Sequence, residues 1–252
     1  MSQNLQSIFE VYVAGVGPSS SHSMGPERAA RLFAAGLAET PARIRVTLQG
    51  SLAATGRGHW TDRTLVRTLN PVPVDVVFDS QTTNLPHPNT MIFAAFSAQG
   101  DLLREWTVCS VGGGSLREAD GRPVARAEPA EYPVGNIADA MDYCHANHLE
   151  FWQLVEQSER DVWPRLENIW RAMTDTVKRG LASKQIILPG TLELARRAGT
   201  THSRALGLKG TPRELGLVAA YALAVAEENA AGMQVVTAPS CGAAGVLPAV
   251  LY

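Results

Sequence analysis

Charge is scarce in this sequence. Charged residues fill 18% of its 252 positions, below the roughly one quarter of an ordinary soluble domain. Neither sign dominates, since 22 Lys and Arg face 24 Asp and Glu, a net charge of -2. No basic field exists to hold nucleic acid or an anionic membrane, so the expected partner is small or a protein. Cysteine is scarce too: Cys109, Cys144 and Cys241 are too few and too dispersed for a disulfide framework or a complete structural metal site, which fits a reducing cytoplasm. Long unbroken apolar runs are missing. Residues 229 to 252 carry no charge, but Gln234, Thr237, Pro239, Ser240 and Pro248 interrupt them, so they read as buried core rather than a membrane span. The first residues lack a basic leader and include Glu10, and they do not read as a signal peptide. An uncharged ending such as GVLPAVLY needs more chain to pack against, so a truncated or split protein is expected.

What is present suits a core. Hydrophobic residues reach 45% at a mean hydropathy of -0.04, which excludes disorder as the main state. In the first 130 residues, periods of two and 3.6 alternate. Pro26 to Leu37 and Asp62 to Leu69 read as amphipathic helices; Ile44 to Leu48, Val74 to Phe78, Met91 to Phe96 and Leu102 to Val111 read as strands. Gly112, Gly113 and Gly114 end the last strand in a turn that allows close backbone approach. Beyond Pro133 the periodicity is helical, at Ile137 to His145, Leu149 to Ser158 and Leu166 to Gly180. The expected class is α+β, a small α/β sandwich over 1–130 followed by an incomplete all-helical domain over 131–252. Thr211-Pro212-Arg213-Glu214 reads as a capping box opening an alanine-rich helix that ends near Ala230. Its apolar residues run almost all round, which places it in the middle of a larger helical domain.

Four segments could carry chemistry. Gly17-Pro18-Ser19-Ser20-Ser21-His22-Ser23-Met24-Gly25-Pro26 gathers four hydroxyls and an imidazole before a helix start, a cradle for an anion or carboxylate, or else a serine-rich cap and turn. Gly56-Arg57-Gly58-His59-Trp60-Thr61-Asp62 offers His59 as a general base, a substrate ligand or an idle loop residue. Leu85-Pro86-His87-Pro88-Asn89-Thr90-Met91 holds a histidine in a proline-bracketed turn. Glu227, Glu228 and Asn229 precede a loop containing Cys241; carboxylates in so uncharged a region must pair or face a site. Cys241 itself is a nucleophile, a metal thiolate or a buried inert thiol.

Taken in order, GPSSSHSMGPERAA, GSLAATGRGHWTD, LPHPNTM, SVGGGS and EENAAGMQVVTAPSCGAAGVLPAVLY resemble the iron-sulfur-dependent L-serine dehydratases, or L-serine ammonia-lyases. The resemblance covers nearly the whole chain. It implies an N-terminal α/β domain before a helical catalytic domain, as one polypeptide or as separate β and α subunits, and a homodimer. It further implies a 4Fe-4S cluster whose open iron acts as a Lewis acid while L-serine loses water and then ammonia to give pyruvate. By position, Ser19, Ser20, Ser21 and His22 would hold the substrate carboxylate or close the site, and His59 would be the base. His22 shares the catalytic role, and His87 and Asn89 would bind substrate. Cys241 would be the metal ligand. Trp60 stands in place of the family's second histidine, Thr90 in place of a turn glycine, and Cys241 three residues before the usual cysteine position, now Ala244. A cubane with one open iron needs about three thiolates, so this chain alone is expected to be inactive, needing the rest of a helical domain in cis or in trans. A non-catalytic serine-binding regulatory module is the alternative. A hydrolase using Ser20 or Cys241 lacks a nucleophile elbow.

Overall fold

The computed structural model describes residues 5, 7–124, 131–190 and 192–252. The short strand β1 (Ala14–Val16) leads into a five-residue π-helix, Ser20–Met24, which continues as α1 (Gly25–Ala35). Then follow β2 (Arg43–Gln49), α2 (Ser51–Thr55), α3 (Thr61–Leu69), β3 (Val74–Asp79), β4 (Thr90–Phe96), β5 (Leu102–Gly112) and β6 (Ser115–Glu118). The helical half comprises α4 (Ile137–Asn147), α5 (Phe151–Ser158), α6 (Val162–Ala182), α7 (Ala198–Leu206), α8 (Thr211–Ala230), β7 (Gln234–Val236) and α9 (Val246–Leu251). The class is therefore α+β, with the sheet-bearing part first. No described helix is long and apolar enough to cross a membrane.

Five strands form one sheet in the order β3-β2-β4-β5-β6, parallel only between β2 and β3. Its apolar face follows from strict alternation: in RIRVTLQ of β2, Ile44, Val46 and Leu48 turn inward. They meet Phe93 of β4, Val108 of β5 and, from the helices, Ala29, Ala30, Phe33, Leu65 and Leu69. That core fixes α1 and α3, and so the loops that precede both helices.

A second core joins the two halves. Met24, at the end of the π-helix, packs with Val177 of α6, Val225 of α8, Val235 of β7, Cys241 and Ala244. Strand β1 pairs antiparallel with β7, so the start of the chain is stitched to the segment that follows α8. Pairs of three-residue strands carry no readable alternation, and this sheet was invisible in the sequence.

The glycine run ends β5 in a turn as expected; Gly112, Gly113 and Gly114, all at positive φ, lead into β6, a hairpin strand the sequence did not announce. Two local expectations change. The capping box at Thr211 does not form, because the helix is capped one residue earlier by Gly210, leaving Thr211 helical with no side-chain cap bond. Helix α8 is buried only along Ala220, Ala224, Val225, Glu227 and Glu228, while Leu215 and Val218 face outward. The boundary expected at 130 and 131 touches residues 125–130, which lie outside the described ones.

Candidate active site

The serine-rich segment is wound into the π-helix and wired to itself. Ser19 caps it, its Oγ accepting the His22 N–H at 3.1 Å. Ser20 Oγ accepts the Gly113 N–H from the β5–β6 turn at 3.3 Å, and Ser21 Oγ lies 2.9 Å from His22 Nδ1. Ser23 Oγ donates to the His59 carbonyl at 3.0 Å. Ser20, His22 and Ser23 are buried, while Ser19 and Ser21 remain half-buried and are the hydroxyls within a ligand's reach.

The GRGHWTD segment fills the gap between α2 and α3 and comes to the same place. The His22 and His59 ring centroids lie 4.7 Å apart. Thr61 Oγ1 donates to the His22 carbonyl at 2.6 Å, and Ser51 Oγ, at the start of α2, lies 3.2 Å from His22 Nε2. His59 Nδ1 sits 3.0 Å from the Thr55 carbonyl. A carbonyl only accepts, so this contact requires the proton on Nδ1 and leaves the Nε2 lone pair as the available base.

Burial, and secondarily the neighbouring His59, lower the pKa of His22 below its usual 6.5. The unfolded chain then binds the proton that native His22 refuses. Stability is expected to decline as pH falls through 6.5 towards the lowered native value, and to be fully present above 6.5. Urea unfolding at stepped pH checks this, and the slope assigned to His22 should vanish in His22→Gln.

His87 and Asn89 stand one layer behind. His87 Nδ1 accepts the Asn89 N–H at 3.0 Å, and Asn89 Nδ2 donates to the Ser110 carbonyl at 3.1 Å. Thr90, in place of a turn glycine, closes this turn through Oγ1 to the His87 carbonyl at 2.6 Å. The turn reaches the histidines through Pro88, whose carbonyl accepts the Ser51 N–H at 2.7 Å.

A cavity of about 730 Å³ opens beside His59, lined also by Pro18, Arg57, Trp60, Arg63 and an antiparallel arm at 188–190 and 192–194, Glu193 among them. The arm is held by Leu188 N–H to the Leu194 carbonyl, 2.7 Å, and Arg196 N–H to the Ile186 carbonyl, 2.8 Å. Its sequence, apolar for the most part and with Glu193 its one charge, carried no functional signal. Ser51, Thr55 and Thr61 lay inside a recognised motif, but as small polar residues they carried no mark of their own.

Glu227 and Glu228 pair rather than face the cavity. Glu228 accepts from Arg196 Nη1 at 3.0 Å and from Arg179 Nε. Glu227 Oε1 accepts the Arg197 and Ala198 N–H groups at 2.5 and 3.1 Å, anchoring the start of α7. Asn229 Nδ2 donates to the Pro18 carbonyl at 3.1 Å, tying the end of α8 to the serine segment.

The cysteines do not assemble a cluster site. Cys241 Sγ is buried 3.9 Å from Met24 Sδ, and burial pushes its thiol up to about 12. Cys109 faces Thr90 Oγ1 on β4, and Cys144 packs with Tyr132, Val134, Ala140 and Leu154. Among the described residues no group of three or more His, Cys, Asp or Glu could hold a metal ion. These residues do not fit a cubane.

The chain is similar to known proteins over nearly its whole length. Residues 7–71 match the family model described as serine dehydratase beta chain, and residues 75–252 match serine dehydratase alpha chain. The chain is 35% identical over 298 aligned positions to an L-serine dehydratase of Streptomyces coelicolor, covering 98% of this chain and 65% of the relative. It is 33% identical to an L-serine dehydratase of Haemophilus influenzae and 30% to L-serine dehydratase 1 of Escherichia coli, each across 97% of this chain and 65% of the relative. The chain thus spans about 65% of the length of these relatives.

Proposed function

The chain belongs to the serine dehydratase family, and on that premise we propose that it carries the base and the substrate-holding loop of an L-serine ammonia-lyase. The observation that supports this most directly is the meeting of His22 and His59, 4.7 Å between ring centroids, with His59 Nδ1 committed to the Thr55 carbonyl.

In this reading L-serine enters the cavity beside His59. The half-buried Ser19 and Ser21 hold its carboxylate, and His59 Nε2 takes the α-proton. His22 is kept neutral by its burial, so it places no second positive charge beside His59 when the proton arrives. Ser20 and Ser23 keep the loop in shape, and His87 and Asn89 act through the Pro88–Ser51 contact on the position of His22. The leaving hydroxyl calls for a Lewis acid, which the family resemblance makes a 4Fe-4S cluster. Its thiolates would have to come from cysteines other than the three here, Cys241 contributing one at most after leaving its contact with Met24. We therefore hold the 252-residue chain inactive by itself, completed by helical-domain residues in cis or from a separate subunit, in the cytoplasm and as a homodimer. The domain division stays at 1–130 and 131–252.

L-serine added to the chain is expected to perturb the ring resonances of His22 and His59, and D-serine to leave them in place. Anaerobic incubation of the chain with iron, sulfide and L-serine is expected to yield no pyruvate. A silent His59 would reject the serine reading; pyruvate from this chain alone would reject its dependence on further cysteines.

A further inference from the structure

We propose that Trp60 is a positioning residue for His59, holding it by seating its indole on the bare α-carbon of Gly232 just past the end of α8. Trp60 stands at the head of α3 with φ 57, a left-handed conformation that a bulky residue keeps only where its surroundings impose it. The surroundings are visible at the ring. A methyl group built on Gly232 would lie 2.4 Å from Cζ3 and 2.6 Å from Cε3 of the indole, so the ring occupies the space that any side chain at 232 would need. Gly232 is itself at φ 68, its N–H bonded to the Asn229 carbonyl at 3.0 Å, which fixes the seat to the helix end. The Arg63 guanidinium lies 5.3 Å from the indole centroid, a cation–π contact on the same ring.

The link to His59 is the peptide the two residues share. Its carbonyl, that of His59, accepts from Ser23 Oγ, and the Trp60 carbonyl accepts the Thr64 N–H at 2.9 Å. Turning residue 60 out of its left-handed conformation rotates the His59 carbonyl away from Ser23 and carries the imidazole off the Thr55 carbonyl. The Nδ1–H tautomer that leaves Nε2 free is lost with it. An indole in place of the family's second histidine thus has a task here: it joins the base of one half to the helix end of the other. The catalytic meaning of this contact rests on the role proposed above for His59, but the contact is measurable without turnover.

In the full chain labelled with 15N-histidine, well above neutral pH, long-range proton–nitrogen spectra report which ring nitrogen carries the proton. His59 is expected to show the Nδ1–H pattern. Gly232→Ala should abolish it while His145 on α4 and His148 just past its end keep theirs. Trp60→Phe, with its shorter ring, should preserve it, and the double variant Trp60→Phe/Gly232→Ala should restore it, because residue 60 relieves the clash but not the positive-φ strain at 232. An unmoved His59 signal in Gly232→Ala, or a double variant no better than Gly232→Ala, overturns the proposal. Should Gly232→Ala fail to fold, Trp60→Ala decides: loss of the pattern in a folded chain supports the role, and an unchanged pattern overturns it. Failure of L-serine to perturb His59 in the parent chain would reject the serine reading and leave the Trp60 result standing.

Discussion

Replacing His59 by alanine is expected to lower serine turnover of the completed enzyme by about 10²- to 10⁴-fold, the usual worth of a positioned general base. Among the described residues lining the cavity, Glu193 on the arm is the one other side chain able to accept a proton. His22 has both ring nitrogens engaged, by Ser21 and Ser51, and Arg57 and Arg63 are permanently protonated. The loss should fall on kcat, because in the proposed role the imidazole meets the α-proton only as it leaves. The fold should survive. His59 is half-buried; alanine loses the ring's contact with the Thr55 carbonyl but keeps the carbonyl that Ser23 bonds, so the change in stability is expected to stay within about 1 kcal/mol. Pyruvate formation and thermal unfolding measure the two effects separately. A folded variant with undiminished turnover would remove His59 from the role of base.

Glu228→Ala is expected to cost about 3 kcal/mol in urea unfolding, the low end of what breaking a buried pair brings. Its carboxylate is 3% exposed and faces Arg196, 7% exposed; with Glu228 gone, Arg196 keeps a 3.9 Å approach to Glu227 Oε2 and a neutral partner, Gln185 Oε1, at 3.3 Å. Arg179 suffers less, being 41% exposed and bonded also to the Gln234 carbonyl at 2.7 Å. Arg31→Ala makes the contrast. Its partner Glu27 is an i,i+4 neighbour and Arg31 is 68% exposed, so removing that pair should change stability by less than about 0.5 kcal/mol. The buried network also reaches the cavity, since Arg196 closes the base of the arm that walls it, and Glu228 precedes Asn229, which holds Pro18. Glu228→Ala should therefore loosen the cavity wall at temperatures where the sheet is still intact. Simultaneous loss of both at a single midpoint would contradict that link.

Much of the fold was legible because its elements announce themselves locally. Ile44, Val46 and Leu48 alternate, and they became the inward face of β2. Pro26 with the apolar spacing behind it marked α1, and Pro212 marked α8. The misses were local as well. Three-residue strands such as β1 and β7 are shorter than any period can reveal, and a cap is decided by one residue's φ and ψ, so Gly210 rather than Thr211 begins α8. In the site, the sequence displayed the right kinds of residue without their wiring. The serine hydroxyls looked free to cradle a ligand; most are used to bind the loop to itself, to Gly113 and to His59. Glu227 and Glu228 were recognisable as costly but not as partners of Arg196 and Arg179.

By itself, then, the sequence determined the α+β class, the family, the helices and principal strands, and the three segments that carry His22, His59 and His87. These are set by the 2.0 and 3.6 periods of the backbone and by residues whose conformation is restricted, all of which act within a few positions. Only the tertiary structure decided that Ser23 meets the His59 carbonyl from 36 residues away, that Cys241 lies against Met24 from 217 away, and that Trp60 rests on Gly232. Contacts of that kind depend on which faces are buried together when the sheet and the helices close, and burial is a property of the whole chain that no short stretch of it contains.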